Sequence, residues 1–140
     1  MKRLIPILLC FFCFHPIIQG QYCIPTANCS DDDYINNFSF NTISNQNSAG
    51  SNCTTNSYIN TGLSTNVIKG STYNFSVQSG SVWAQGFGIW IDFNKDNDFI
   101  DAGEFVYASP SASTTAFTGT ITISASASTG TTRMRVRSQY

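Results

Sequence analysis

Five of the eight acidic residues in this 140-residue chain fall within one short run, residues 92–104. The run follows an apolar stretch that ends at Ile91, and oxygen-bearing side chains recur in it at alternate positions. Such spacing lets several side chains converge on one ion when the backbone coils around it, and Ca²⁺ takes six to eight oxygen ligands. The sequence therefore predicts a structural calcium site with six candidate ligands: Asp92, Asn94, Asp96, Asp98, Asp101 and Glu104.

The run matches a helix–loop–helix calcium loop only in its first half. Counted from Asp92, oxygens stand at the first, third, fifth and seventh positions, as in that motif. Asn97 replaces the glycine expected at position six, although Asn tolerates the left-handed backbone better than most residues. The closing acid, Glu104, falls one place late, and the loop is entered from a strand. The run is therefore more similar to the loops of non-helical extracellular calcium modules.

A second interpretation of the same run is a polar hairpin connection. Asp and Asn side chains cap turns by bonding to the backbone two residues on, with no metal involved. Against this interpretation, carboxylates confined to so few residues repel one another unless a cation neutralises them. The calcium interpretation is favoured on this ground.

The N-terminus has the layout of a secretory signal peptide. Two basic residues precede the apolar stretch 4–18, and a polar chain follows. That stretch is interrupted by His15 and Pro16 and is shorter than the roughly 20 residues a spanning helix needs. We expect residues 1–20 to be removed, leaving a secreted or cell-surface protein without a membrane span.

The exported part, residues 21–140, has the size of one domain. It keeps all eight acidic residues but five of the seven basic ones, which argues against nucleic-acid binding. Three cysteines remain, Cys23, Cys29 and Cys53, and an odd number in an oxidising environment leaves one thiol for a covalent partner. Spacing does not fix the pairing, although we favour Cys29 with Cys53.

The exported part is not expected to be an enzyme. Its lack of histidine excludes Ser-His-Asp and Cys-His catalytic groups, and it contains no zinc-protease motif. Two of the carboxylates of residues 92–104 could formally supply the acid and base that glycoside hydrolysis requires. Their clustering on one loop fits a metal better than a cleft that flanks a substrate from two sides.

Period-two alternation predicts the fold class. Apolar residues alternate with polar or small ones around residues 73–77, 87–91, 121–123 and 134–136, and turn signals separate these segments. Many short strands of this kind predict an all-β protein, an antiparallel β-sandwich of immunoglobulin-like or jelly-roll-like type. Trp83 and Trp90 are candidates for a sugar-binding platform, although core packing is favoured for the aromatic set as a whole.

Several separated motifs occur in one order along the chain: Tyr22-Cys23, Asp33-Tyr34-Ile35-Asn36-Asn37, Trp90-Ile91-Asp92-Phe93-Asn94, Asp101-Ala102-Gly103-Glu104 and Thr132-Arg133-Met134-Arg135-Val136-Arg137. Together they resemble the GEVED domain of secreted and cell-surface bacterial proteins. In that family a further cysteine and an acidic closing strand follow the arginine strand. Neither occurs here, so residues 21–140 are expected to be a C-terminally incomplete domain. We expect the arginines of the last motif to face that acidic strand.

The resemblance implies a non-catalytic extracellular accessory or adhesion module, normally part of a larger secreted or surface protein. Its partner would be an extracellular protein or a glycan. Two alternatives stay open, a carbohydrate-binding module and a fragment of a secreted peptidase whose catalytic domain is absent.

Overall fold

The computed structural model describes residues 21–24, 33–48 and 58–139. The predicted signal peptide, residues 1–20, and Cys29 and Cys53 lie outside these residues. The described part forms seven strands and no helix, and it therefore contains no helix long and apolar enough to cross a membrane. The strands are β1 (Ile35–Phe40), β2 (Ile43–Asn45), β3 (Thr72–Ser79), β4 (Gly86–Ile91), β5 (Phe105–Ala108), β6 (Phe117–Thr122) and β7 (Met134–Gln139).

The strands form two antiparallel sheets. The first sheet has the order β2-β1-β3-β6, and the second has the order β5-β4-β7. In the second sheet β4 is central, with Ile91 opposite Met134 of β7 and Ile89 opposite Val136. Ile89 and Ile91 on the inner face of β4 therefore have apolar neighbours on β7, whereas Phe87 on the same face lies opposite Ser138.

The core lies between the sheets. Strict alternation buries Phe75 and Val77 of β3 against Phe87, Ile89 and Ile91 of β4. Burying one such side chain contributes about 1.5–3 kcal/mol. Two aromatic contacts join the sheets directly, because the ring centroids of Phe75 and Tyr107 are 4.5 Å apart and those of Phe87 and Phe117 are 5.9 Å apart. The predicted all-β antiparallel sandwich is confirmed.

The acidic run connects two neighbouring strands of the second sheet. It leaves β4 after Ile91 and returns as β5 at Phe105, and the Ile91 amide donates to the Glu104 carbonyl at 2.9 Å. On the other side, the Asp92 amide donates to the Arg133 carbonyl, just before β7, at 3.1 Å. The first and last residues of the run are thus held by the sheet, while its middle projects beyond it.

Candidate metal centre

Asp92 is the buried anchor of the loop. Its side chain is fully buried, and its Oδ1 accepts a hydrogen bond from the Lys95 amide at 2.5 Å. Its Oδ2 accepts from the Asn97 amide at 3.2 Å and from the Tyr22 hydroxyl at 2.5 Å. A buried carboxylate requires such partners because an unsatisfied buried charge is very costly. Asp92 therefore pulls the first half of the loop into a tight coil.

The coil depends on residues in the left-handed backbone region. Lys95 has φ of 68°, Asn97 has φ of 74° and Gly103 has φ of 92°. Asn97 is the residue at which the sequence anticipated a left-handed position, and Gly103 meets the same requirement at no steric cost. Lys95 is the costly member of the set, and the Asp92 contact to its amide holds it in place.

Glu104 closes the loop from its other end and is 2% exposed. Its Oε1 accepts from the Phe93 amide at 2.8 Å and lies 3.5 Å from the Asn94 amide nitrogen. Its Oε2 is buried and has no hydrogen-bond partner among the described residues. Burial raises the pKa of Glu104, the two amides lower it, and the nearby charges of Asp92 and Asp101 raise it further.

Three other carboxylates, Asp96, Asp98 and Asp101, lie together at the solvent side, where Asp96 and Asp101 are exposed and Asp98 is half-buried; we call them the exposed triad. One oxygen from each lies within 4.8 Å of the others. Asp96 and Asp98 also accept backbone hydrogen bonds, from the Asp98 amide at 3.1 Å and the Ile100 amide at 2.9 Å. The chain thus turns around its own side chains at successive Asp positions, and the carboxylates face one another.

Asn94 links the triad to the buried half of the loop. Its side-chain nitrogen Nδ2 donates to Asp96 Oδ2 at 2.8 Å and to Asp101 Oδ2 at 2.6 Å. The hydrogen bond from Asn94 lowers the pKa of Asp96, whereas the adjoining carboxyl of Asp96 is the main cause that raises the pKa of Asp101. Two neighbouring carboxylates do not ionise independently, and the second one binds its proton more tightly.

Charge around the triad is not balanced by nearby lysine. The Lys95 amine donates to the Thr129 carbonyl at 3.2 Å. Among the described residues, no Lys or Arg side chain forms an ion pair with Asp96, Asp98 or Asp101. The donor set around the triad consists of exposed oxygens, which suits a hard cation whose remaining ligands are water.

The six predicted ligands lie on one loop but form two groups. Asp92 and Glu104 are buried and hold backbone amides, whereas Asp96, Asp98 and Asp101 are gathered near the surface, with Asn94 between the groups. Turn capping occurs in both groups, since Asp96 and Asp98 also accept amides two residues on, but only the triad has the spacing of a metal site. The presence of calcium stays a prediction.

Sequence reasoning missed the contacts of the N-terminal segment with this loop. The Tyr22 ring centroid lies 5.2 Å from that of Phe99, and the Arg133 guanidinium lies 4.5 Å above the Tyr22 ring. Burial and the hydrogen bond to Asp92 raise the pKa of Tyr22 to about 12. Tyr22 and Asp92 are 70 residues apart in the chain, so no local pattern could pair them.

The expectation that Arg133, Arg135 and Arg137 face an acidic strand stays a prediction, and two of these arginines make contacts within the described structure. The Arg135 guanidinium lies 4.3 Å from the Phe99 ring centroid and donates to the Cys23 carbonyl. Burial is the main cause that lowers the pKa of Arg135. Together with the stacking of Arg133 on Tyr22, this leaves Arg137 as the arginine without a described partner. Cys23 is exposed and has a free thiol.

One comparison with known proteins bears on this region. Residues 86–140 match the family model of the GEVED domain, a module found as part of larger proteins. The matched segment begins at the first residue of β4 and contains the whole acidic loop and β7. No curated protein and no solved structure matches the chain. The resemblance to the GEVED domain family that the separated motifs indicate is therefore confirmed, over residues 86–140.

Proposed function

We propose that this chain is an exported, non-catalytic accessory or adhesion module of a larger protein, and that calcium orders its acidic loop. The match to a domain family of non-catalytic type supports the first part. The signal-peptide pattern of residues 1–20 supports export, and the absence of histidine after residue 20 supports the lack of catalysis.

The observation that carries the calcium proposal is the exposed triad. Three carboxylate oxygens lie within 4.8 Å of one another, and the raised pKa of Asp101 reflects the cost of that approach. A divalent cation removes the cost because it replaces repulsion between the carboxylates with attraction to one centre. The three triad carboxylates would hold the ion, and the buried Asp92 and Glu104 would hold the backbone in the required coil. Asn94 is a candidate ligand from its spacing, but here it presents its Nδ2 to Asp96 and Asp101, and its Oδ1 accepts from the Asp96 amide.

The proposed role of the ion is structural. Residues 92–104 form a long connection between β4 and β5, and its middle has few apolar contacts beyond Phe99. Ordering such a segment costs conformational entropy, about 1–2 kcal/mol per residue for the backbone. An ion that binds only the folded loop stabilises the protein by mass action and offsets part of that cost.

Isothermal titration of the exported chain with calcium, after removal of metal with EGTA, tests this proposal. We expect saturable heat for the wild type and at least tenfold weaker binding for Asp98→Asn, since the amide keeps the turn to Ile100 but loses the charge. Asp33→Asn is the matched control, because Asp33 contacts Gln85 and lies outside the loop.

The control variant should bind calcium as the wild type does. Absence of heat, together with an equal melting temperature in calcium and in EGTA, would overturn the calcium part of the proposal. The assignment as a non-catalytic module rests on separate observations and would stand.

A further inference from the structure

The outer face of the second sheet carries an open groove. Its floor is formed by Gly86 and Gly88 of β4, with Trp90 and Phe105 at one side and Arg137 and Gln139 of β7 at the other. Its volume is about 510 Å³. We refer to this feature, defined by these six residues, as the outer-face groove.

The glycines and the aromatic pair explain why the groove exists. A Cβ atom at Gly88 would collide with the indole ring of Trp90, so that ring lies flat over the glycine. The Trp90 and Phe105 rings stack with centroids 4.6 Å apart and an interplanar angle of 24°. Phe105 is 52% exposed. The Phe105 ring therefore packs on Trp90 and is the exposed member of this aromatic pair.

Positive charge is concentrated on the same face. Three of the five basic residues that follow residue 20 are arginines of one segment, 133–137, and β4, β5 and β7 contain no acidic residue. Arg133 and Arg135 are engaged by Tyr22, Phe99 and Cys23. Arg137 is exposed, lines the groove and forms no ion pair within the described residues. Among the described residues, the groove thus has one guanidinium without an ion-pair partner, in an otherwise mildly acidic domain.

These groups together fit an acidic sugar. An aromatic ring packs against the C–H face of a pyranose, and a guanidinium binds a carboxylate through two parallel hydrogen bonds. Ser111 and Gln139 also line the groove and can bond to hydroxyl groups.

A peptide ligand fits the groove less well than a sugar. Peptides commonly gain affinity from main-chain hydrogen bonds to a free strand edge. The groove lies on the face of β4, and both edges of that strand are already paired, with β5 and with β7. The floor of the groove therefore offers side chains alone; the edges left unpaired among the described strands are the outer edges of β5 and β7.

We propose that the outer-face groove binds an anionic polysaccharide, with a sugar ring on Phe105 and a uronate carboxylate on Arg137. This inference rests on the proposed role as a non-catalytic binding module, whose partner class it names. It does not involve the calcium loop.

The test uses the exported chain with polygalacturonate as the probe and its fully methyl-esterified form as the neutral counterpart. We expect binding of polygalacturonate that weakens about tenfold in Arg137→Gln, the size of one lost charge-assisted hydrogen-bonded pair. Phe105→Ala should weaken it by a similar factor, and the ester should bind at least tenfold less tightly than the acid. Lys69→Gln is the matched control, because it removes one positive charge at a distance from the groove and should leave binding unchanged.

Three results would overturn the inference. They are absence of binding by the folded wild type, an equal loss in Lys69→Gln and Arg137→Gln, and equal binding of polyglutamate, which would indicate an acidic peptide or unspecific charge attraction. Melting temperatures of all variants separate misfolding from lost binding. If glycan binding fails while calcium binding is observed, the groove assignment alone is wrong.

Discussion

The two groups of acidic residues in the loop 92–104 differ in burial and in what their oxygens contact. Asp92 and Glu104 are buried, and their oxygens accept hydrogen bonds from backbone amides of the loop. The exposed triad places its carboxylates near one another, with no described cation beside them. The same residue types thus serve two purposes in one loop. The buried group fixes the two ends of the loop, and the triad, whose Asp96 and Asp98 also cap local turns, is where a metal would act.

This difference explains why the acidic run is compatible with both sequence interpretations, a turn-capped connection and a calcium site. Alternate acidic positions are compatible with turn capping and with metal coordination, because both need side-chain oxygens close to a coiled backbone. Burial separates the two roles. Both Asp92 oxygens and Glu104 Oε1 are satisfied by hydrogen bonds from the protein, whereas Glu104 Oε2 has no partner among the described residues. The carboxylates of the triad can leave charge neutralisation to an ion.

The largest expected effect is that of Asp92→Ala. The substitution leaves the Lys95 and Asn97 amides and the Tyr22 hydroxyl without their buried acceptor, and each unsatisfied group costs about 1–3 kcal/mol. We expect the free energy of unfolding to fall by about 3–5 kcal/mol in EGTA, measured by urea denaturation. A loss below about 1 kcal/mol would show that the buried group does not hold the loop.

A smaller effect is expected for Tyr22→Phe. This change keeps the ring contacts to Phe99 and Arg133 and removes the hydroxyl that donates to Asp92. We expect a loss of about 1 kcal/mol in the free energy of unfolding. The loss should be the same with calcium and with EGTA, since Tyr22 contacts the buried group and not the triad.

The control for this experiment is Tyr73→Phe, which removes a hydroxyl that accepts from the Ile68 amide outside the loop. If Tyr22→Phe abolished calcium binding while Tyr73→Phe did not, the division between the two groups of acidic residues would be incorrect.

The smallest effect concerns Tyr107, which is partly buried by packing against Phe75 and has no acidic partner. Burial raises its pKa, so the folded state holds the phenol proton more tightly than the unfolded state. Its contribution is fully present below about pH 10 and is lost as the pH rises through the higher pKa of the folded state.

Urea midpoints measured at about pH 9 and about pH 11 test this expectation. The midpoint should fall less between the two pH values in Tyr107→Phe than in the wild type, and calcium should not alter the difference. If the urea midpoint fell equally in both proteins, the pKa of Tyr107 would not be raised in the folded state, and burial without a nearby charge would have no effect at this position.

The sequence predicted the regular strands and missed the irregular ones. Alternation was visible in β3, β4, β6 and β7, because each places apolar residues at every second position. In β1 the two buried residues, Phe38 and Phe40, follow a polar start, and β5 is a short apolar stretch without alternation. Both strands are defined by pairing with β3 and β4, which is tertiary information that no local pattern contains.

For the candidate site, the sequence predicted the loop and its left-handed Asn97 but not the division of its ligands. Burial of Asp92 follows from its position between β4 and the residue preceding β7, and from Tyr22. These partners are remote in the chain, so spacing within the run could not separate Asp92 from Asp96.

The most direct test of the proposed difference between the buried group and the exposed triad uses the wild type and Asp98→Asn. The free energy of unfolding of each is measured in calcium and in EGTA. Calcium should stabilise the wild type more than Asp98→Asn, whose calcium binding is weaker. In EGTA Asp98→Asn should be at least as stable as the wild type, because the amide preserves the turn to Ile100 and removes one repelling charge. Equal stabilisation of both proteins by calcium, or a loss in Asp98→Asn in EGTA as large as that in Asp92→Ala, would contradict the account.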